Sequence, residues 1–155
     1  MSYFYLDASA LVKRYAHERG TGWVRDLTDP MSDNVILSSR LSLAEVAAAL
    51  AAKQRAPGGL SRAGRDRAVN LFLAHCQSEY RLVEVDRFVS DLAVRLTQDH
   101  RLRGYDAMHL ATALLVNRVL LRERTASLIM VAADKDILDA ARAEGLTTED
   151  PCLYA

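Results

Sequence analysis

The segment from Asp106 to Leu121 constrains this chain more than any other. It carries Ala107, Met108, Leu110, Ala111, Ala113, Leu114, Leu115, Val116, Val119 and Leu120, so apolar residues fall on nearly every side of a helix. A helix that is apolar all round is a buried one. It is too short and too interrupted to span a bilayer, which takes about 20 consecutive apolar residues. The fold must therefore pack other elements around this helix on more than one side.

The rest of the chain supplies those elements. Tyr3 to Leu6 is a short, aromatic-rich apolar run that predicts a strand ending at Asp7. Val35-Ile36-Leu37 predicts a second strand, Arg81 to Val85 a third, and Ser127 to Ala132 a fourth. Helices are expected between them. Ser9 is placed to cap one that runs through Leu11, Val12 and Tyr15 toward His17, with Gly20 and Gly22 breaking it. A short helix follows near Trp23 to Leu27. Ser38 or Ser39 caps another that reaches about Gln54, and Pro57-Gly58-Gly59 ends it. Ser61 caps a helix to about Ser78, and Asp86 one to about His100. Gly104 separates that helix from the apolar one. Ile137 to Ala143 closes the series, stopped by Gly145. Strands alternating with helices predict an α/β domain with a mainly parallel sheet. The 155 residues fit one domain, 1–155, with no repeat and no interdomain linker.

Charge and cysteine content narrow the function. The formal net charge is zero, which argues against nucleic-acid binding by bulk charge and leaves only local basic patches. Lys53, Arg55, Arg62, Arg65 and Arg67 form one such patch, opposed by Asp66, and Arg101 and Arg103 form a smaller one. Cys76 and Cys152 are far apart and lack metal-ligand spacing, so they read as free thiols in a reducing compartment. The N-terminal residues do not have the make-up of a secretory signal. A cytoplasmic protein with no membrane association is expected.

Four carboxylates stand out. Asp7 follows the first strand and Asp134 the fourth, which places both at the carboxyl edge of the sheet, where open α/β folds bind ligands. An aspartate after a strand also serves as a plain N-cap. Glu45 sits among Leu43, Ala44, Val46, Ala47, Ala48, Ala49 and Leu50, a setting in which an ionised carboxylate is costly unless compensated. Asp106 opens the apolar helix, where it either caps that helix or faces a site. His109 lies one turn further on the same face, and a structural role suits it better than metal ligation. Gathered in one pocket, these carboxylates would repel one another, and a hard divalent cation such as Mg²⁺ or Mn²⁺ resolves the repulsion with oxygen ligands. Metal-activated water attacking a phosphodiester is the chemistry that such a site supports.

These residues also carry a resemblance. Tyr5-Leu6-Asp7-Ala8-Ser9-Ala10-Leu11-Val12-Lys13 resembles the opening motif of PIN-domain proteins, and of VapC toxins in particular. Leu43-Ala44-Glu45-Val46 resembles their second acidic motif and Tyr105-Asp106-Ala107-Met108-His109-Leu110-Ala111-Thr112-Ala113 their third. Ala132-Ala133-Asp134-Lys135-Asp136-Ile137-Leu138 resembles the fourth. The resemblance implies a PIN-like three-layer α/β/α domain with a central, mainly parallel sheet of four or five strands. It implies a Mg²⁺- or Mn²⁺-dependent endoribonuclease toxin, neutralised by a cognate VapB-like antitoxin and commonly homodimeric. Asp7 and Asp106 would be the principal metal ligands. Glu45 and Asp134 would bind directly or through water, with Glu45 orienting the attacking water and Ser9 supporting the site. The antitoxin tail would lie in a groove between helices around Leu11 to Tyr15 and Leu41 to Ala52.

The fourth motif departs from the family pattern. Ala132 and Ala133 stand where a threonine or serine usually precedes the aspartate, so a hydroxyl that would hold Asp134 is missing. Asp136 is the alternative to Asp134 or its partner. The departure leaves room for a second reading, a catalytically silent PIN scaffold that binds protein or RNA. A phosphatase with an aspartyl nucleophile is disfavoured, because Ser9 stands where the second carboxylate of such enzymes belongs.

Overall fold

Five strands form one sheet in the computed structural model, which describes all 155 residues. They are β1 (Ser2–Leu6), β2 (Asn34–Ser39), β3 (Tyr80–Val83), β4 (Leu128–Val131) and β5 (Thr147–Glu149), in the order β3-β2-β1-β4-β5. Every neighbouring pair is parallel. Seven helices flank the sheet: α1 (Ala8–Leu11), α2 (Thr21–Leu27), α3 (Leu41–Arg55), α4 (Arg62–Ser78), α5 (Arg87–Asp99), α6 (Gly104–Arg122) and α7 (Lys135–Ala143). No helix is long and apolar enough to cross a membrane.

Strand alternation explains the layering. Successive side chains of a strand point to opposite faces. Tyr3 and Tyr5 of β1 join Leu37, Met130 and the buried faces of α5, α6 and α7 in one core. Leu6 joins Ile36, Val131 and the buried residues of α1 to α4 in the other. The central strand is thus covered on both faces, as an all-parallel sheet requires. Helix α6 fulfils its sequence pattern in its first half, where Ala107, Leu110, Ala111 and Ala113 are fully buried and Leu114 nearly so; toward its end Val119 and Leu121 are exposed.

Several boundaries differ from the sequence expectation. Asp7, not Ser9, caps α1; its Oδ1 accepts from the Ala10 N–H at 3.0 Å. The expected helix toward His17 is one turn of α-helix that tightens into a 3₁₀ turn, Val12–Arg14. Strand β2 runs through Ser39, and Arg40 stands at the cap position of α3, while the Ser39 hydroxyl accepts from the Leu41 N–H at 3.2 Å. Ser38 instead donates to the Leu6 carbonyl at 2.6 Å and pairs with the Ser42 hydroxyl at 2.7 Å. Gly104 begins α6 rather than separating it from α5. Strand β5 has three residues and no apolar alternation, so pattern reading passed over it. Gly20 is needed for its conformation as well as its size: its φ is +88°, and a Cβ there would meet the Pro151 carbonyl oxygen at 2.4 Å.

The chain leaves β1 toward β2 and β3 on one side and returns to β4 and β5 on the other. The switch point lies between β1 and β4, where open α/β folds bind ligands beyond the carboxyl ends of the strands. Asp7 directly follows β1, and Asp134 follows β4 by three residues.

Candidate active site

Two hydrogen bonds tie the ends of β1 and β4 together. The Asp7 N–H donates to the Val131 carbonyl at 3.2 Å. The Ser9 hydroxyl donates to Asp7 Oδ1 at 2.7 Å and accepts from the Ala133 N–H at 2.9 Å. Ser9 therefore bridges Asp7 and the segment that leads to Asp134. The Asp134 carboxylate is held by its own helix: Oδ1 accepts from the N–H groups of Asp136 at 2.8 Å and Ile137 at 3.4 Å. Capping α7 fixes one oxygen and leaves Oδ2 for the site, so a hydroxyl at Ala132 or Ala133 is not required for order.

Glu45 is held from below. His109 is buried, and its Nε2–H donates to Glu45 Oε1 at 2.6 Å. His109 Nδ1 pairs with the Tyr5 hydroxyl at 2.8 Å. On the neutral ring the hydroxyl donates to Nδ1; on the imidazolium Nδ1 donates to the hydroxyl. With both nitrogens engaged, His109 has a structural role and no free metal-binding atom. This line from β1 through α6 to α3 answers the cost of a carboxylate on an alanine-rich helix.

The acidic residues sense one another. Burial pushes the Asp7 carboxyl above its ordinary value, and Asp106 adds to the rise; His109, Ser9 and the Ala10 N–H oppose it. Burial also raises Asp106, followed by the field of Asp134; Arg103 and His109 pull it back, and Glu45 pushes it up again. Burial works against charge on His109, yet the Glu45 hydrogen bond and the fields of Asp7, Glu45 and Asp106 outweigh it and raise its pKa. Such upward shifts in neighbouring groups are common at functional sites.

The gathering is partial. Asp106, Asp134 and Asp136 line one cleft of about 480 Å³ with Thr97, His100, Arg101, Leu102 and Arg103. Glu45 lines a neighbouring groove with Leu41, Ala44, Ala48, Val85 and Tyr105. Asp7 is buried between the strand ends, 5% exposed. Its two hydrogen bonds both fall on Oδ1, and no buried side-chain oxygen lacks a partner, so Oδ2 keeps access to solvent. No three His, Cys, Asp or Glu side chains converge closely enough to hold a metal ion by themselves. The donors that remain are carboxylate oxygens. They suit a hard cation that keeps several waters and takes one or two carboxylates plus substrate phosphate, not a closed protein cage.

A PIN domain model matches residues 4–143. The chain belongs to the PIN domain family. It is 39% identical over 120 residues to ribonucleases VapC45 and VapC49 of Mycobacterium tuberculosis, across 75% of this chain and 78% of each relative. Solved structures of the same fold include Mycobacterium tuberculosis VapC20, a sarcin–ricin loop cleaving toxin, with TM-score 0.61, 17% identity, and 93% of this chain and 96% of that one covered. VapBC2 of Rickettsia felis bound to a promoter DNA fragment aligns with TM-score 0.60 and 14% identity over 96% of this chain and 98% of that one. A toxin–antitoxin complex from Klebsiella pneumoniae aligns with TM-score 0.58 and 18% identity over 97% and 98%.

Within this PIN domain two features escaped the sequence reading. Arg101 and Arg103, the smaller of the two basic groups in the sequence, stand at the acidic cleft, a placement that the sequence did not reveal. Lys53 is bound to Glu18 at 2.7 Å and Arg65 to Asp66 at 2.7 Å. The available signal was the i, i+3 spacing of Arg103 and Asp106 across the start of a helix. The open groove along α3 has a second wall that the sequence did not reveal. Leu11, Val12 and Tyr15 pack into the core with Val46 and Leu50 of α3, and residues 84, 85 and 105 line the groove on its open side.

Proposed function

We propose that this chain is a divalent-metal-dependent endoribonuclease toxin, held in check by a VapB-like antitoxin. The observation that carries the reading is the electrostatic coupling of Asp106 to Asp134 and Glu45 beside the carboxyl edge of β1 and β4. The ribonuclease names of the VapC relatives point the same way.

Asp7 and Asp106 would hold the cation, with Glu45, Asp134 and Asp136 as the further carboxylates of the site. When bound, Mg²⁺ or Mn²⁺ would supply positive charge for the phosphodiester and acidify water for its hydrolysis. Glu45, fixed through His109 and Tyr5, would orient the attacking water. Ser9 keeps Asp7 in place, and the α7 cap keeps Asp134 in place. The groove along Leu41, Ala44, Ala48, Val85 and Tyr105 takes the antitoxin tail; Tyr105, 64% exposed, is its apolar edge. Phe88 and Val94, exposed on α5, offer the surface for a homodimer.

The purified chain is expected to cleave RNA with Mg²⁺ or Mn²⁺ and to stop in chelator. Asp7→Asn is expected to abolish cleavage and keep the fold, because the amide oxygen still accepts from Ser9 and Ala10. Cleavage by Asp7→Asn at the wild-type rate would refute the assignment. One observation favours the silent-scaffold reading: no three ligands converge. Absence of Mn²⁺ binding by the wild-type chain would decide for it.

A further inference from the structure

Two arginines stand over the acidic cleft without a committed partner. Arg103 holds Nε 3.5 Å from Asp106 Oδ2 and Nη2 3.8 Å from Asp134 Oδ2, and its side chain is 86% exposed. Arg101 Nε lies 3.9 Å from Asp136 Oδ2, with the side chain 94% exposed. A charge-assisted hydrogen bond spans about 2.7–2.9 Å. The carboxylates therefore attract these guanidiniums without fixing them. Arg14 shows the alternative: its Nη1 donates to Glu79 and Tyr80, each at 2.7 Å, and it is largely buried.

The backbone under the two arginines is ordered. The Leu102 N–H donates to the His100 carbonyl at 2.9 Å, and Arg103 is the residue from which α6 starts. Anchored bases with loose tips are what a residue needs to exchange one partner for another. The cleft supplies the reason for exchange. Its lining carries three carboxylates against two guanidiniums, so it is net acidic by itself. With Asp7 beside them, four carboxylates face two guanidiniums, and one added divalent cation brings the balance to neutral. A polyanion is repelled only in the first state.

We infer that Arg103, with Arg101 beside it, is the phosphate grip of this cleft. It neutralises Asp106 and Asp134 until a divalent cation takes those carboxylates, and then turns to the RNA backbone. The guanidinium fork, with five donors, matches phosphate in two-point contact. The inference rests on the reading of the cleft as a ribonuclease site.

The test uses the full chain and a fluorescein-labelled single-stranded RNA with a phosphorothioate backbone, followed by anisotropy in Mn²⁺ and in chelator. The wild type should bind more tightly in Mn²⁺. Arg103→Ala should weaken Mn²⁺-supported binding about 10-fold and lower the salt slope by about one. Arg103→Lys should recover part of the loss, and Arg122→Ala, exposed at the opposite end of α6, should lose nothing. Mn²⁺ titration without RNA should show Arg103→Ala binding the ion as tightly as wild type or more so. A wild-type Kd and salt slope for Arg103→Ala overturn the inference, and so does loss of its Mn²⁺ binding. Arg103-dependent RNA binding without RNA cleavage would keep the grip and remove the ribonuclease reading. Cleavage by the wild type, with RNA binding unchanged in Arg103→Ala, would do the reverse.

Discussion

Glu18 and Asp106 are both acidic residues beside a helix, and the fold treats them in opposite ways. Glu18 accepts from Lys13 at 3.0 Å and from Lys53 at 2.7 Å. Burial alone would raise its pKa, but the hydrogen bonds from the two lysines win and lower it. Glu144 is likewise lowered, by Arg95 first and then by His100. These carboxylates spend their charge on joining segments: the turn after α1 to α3, and α5 to the end of α7. Asp7 and Asp106 are raised instead, by burial and by each other's neighbourhood. The cations that pull them back are His109, already tied to Glu45, and the loosely placed Arg103. Charge cancelled inside the protein stabilises it; charge left uncancelled in a cleft is available to a ligand.

The comparison breaks first at the chemistry. Asp106→Asn should lower RNA cleavage about 100- to 1,000-fold, the scale of losing one electrostatic contributor to a transition state. Its Tm in chelator should stay level or rise, because a repelled carboxylate is gone. Thermal unfolding and a cleavage assay together check both halves. Glu18→Ala should do the opposite, leaving cleavage intact while unfolding becomes easier by about 3 kcal/mol, because Lys13 is left buried and unpaired. Equal behaviour of the two variants would erase the distinction between the regions.

Smaller effects sharpen it. Tyr5→Phe removes the hydroxyl from His109 Nδ1 and should cost about 1–2 kcal/mol in denaturant unfolding. It should also slow cleavage through a less fixed Glu45, with little change in Mn²⁺ affinity. Glu144 gives a pH signature. Its pKa is lowered on folding, so its contribution is present at neutral pH and is lost as pH falls below its ordinary value of 4.5 through the lowered one. Glu144→Gln should therefore have a lower Tm than wild type at neutral pH, and the gap should close in acid. A gap that widened in acid would contradict the assignment of Glu144 as a cancelled charge.

What was readable in the sequence follows the same division. The strands β1, β2 and β4 were legible because apolar runs bounded by breakers have one use in a chain this size. Helix α6 was legible because its first half is apolar on nearly every side. Ser9 was misread as a cap, since its hydroxyl is drawn to Asp7 and Ala133, a partner 124 residues away. For Asp7 and Asp134 the plain reading and the functional one proved compatible: each caps a helix with one oxygen and keeps the other. The link from Tyr5 through His109 to Glu45 joins three elements that no local pattern connects. Arg103 lay in plain sight, but its neighbourhood with Asp134 exists only after β4 is set beside β1.

On the proposed reading the acidic cleft takes a cation from outside, while the other paired carboxylates do not. Calorimetric titration of Mn²⁺ into wild type, Asp106→Asn and Glu144→Gln separates the two kinds. Wild type and Glu144→Gln should bind saturably, and Asp106→Asn should not bind. Saturable binding that survives in Asp106→Asn, or no binding by the wild type, would contradict that reading.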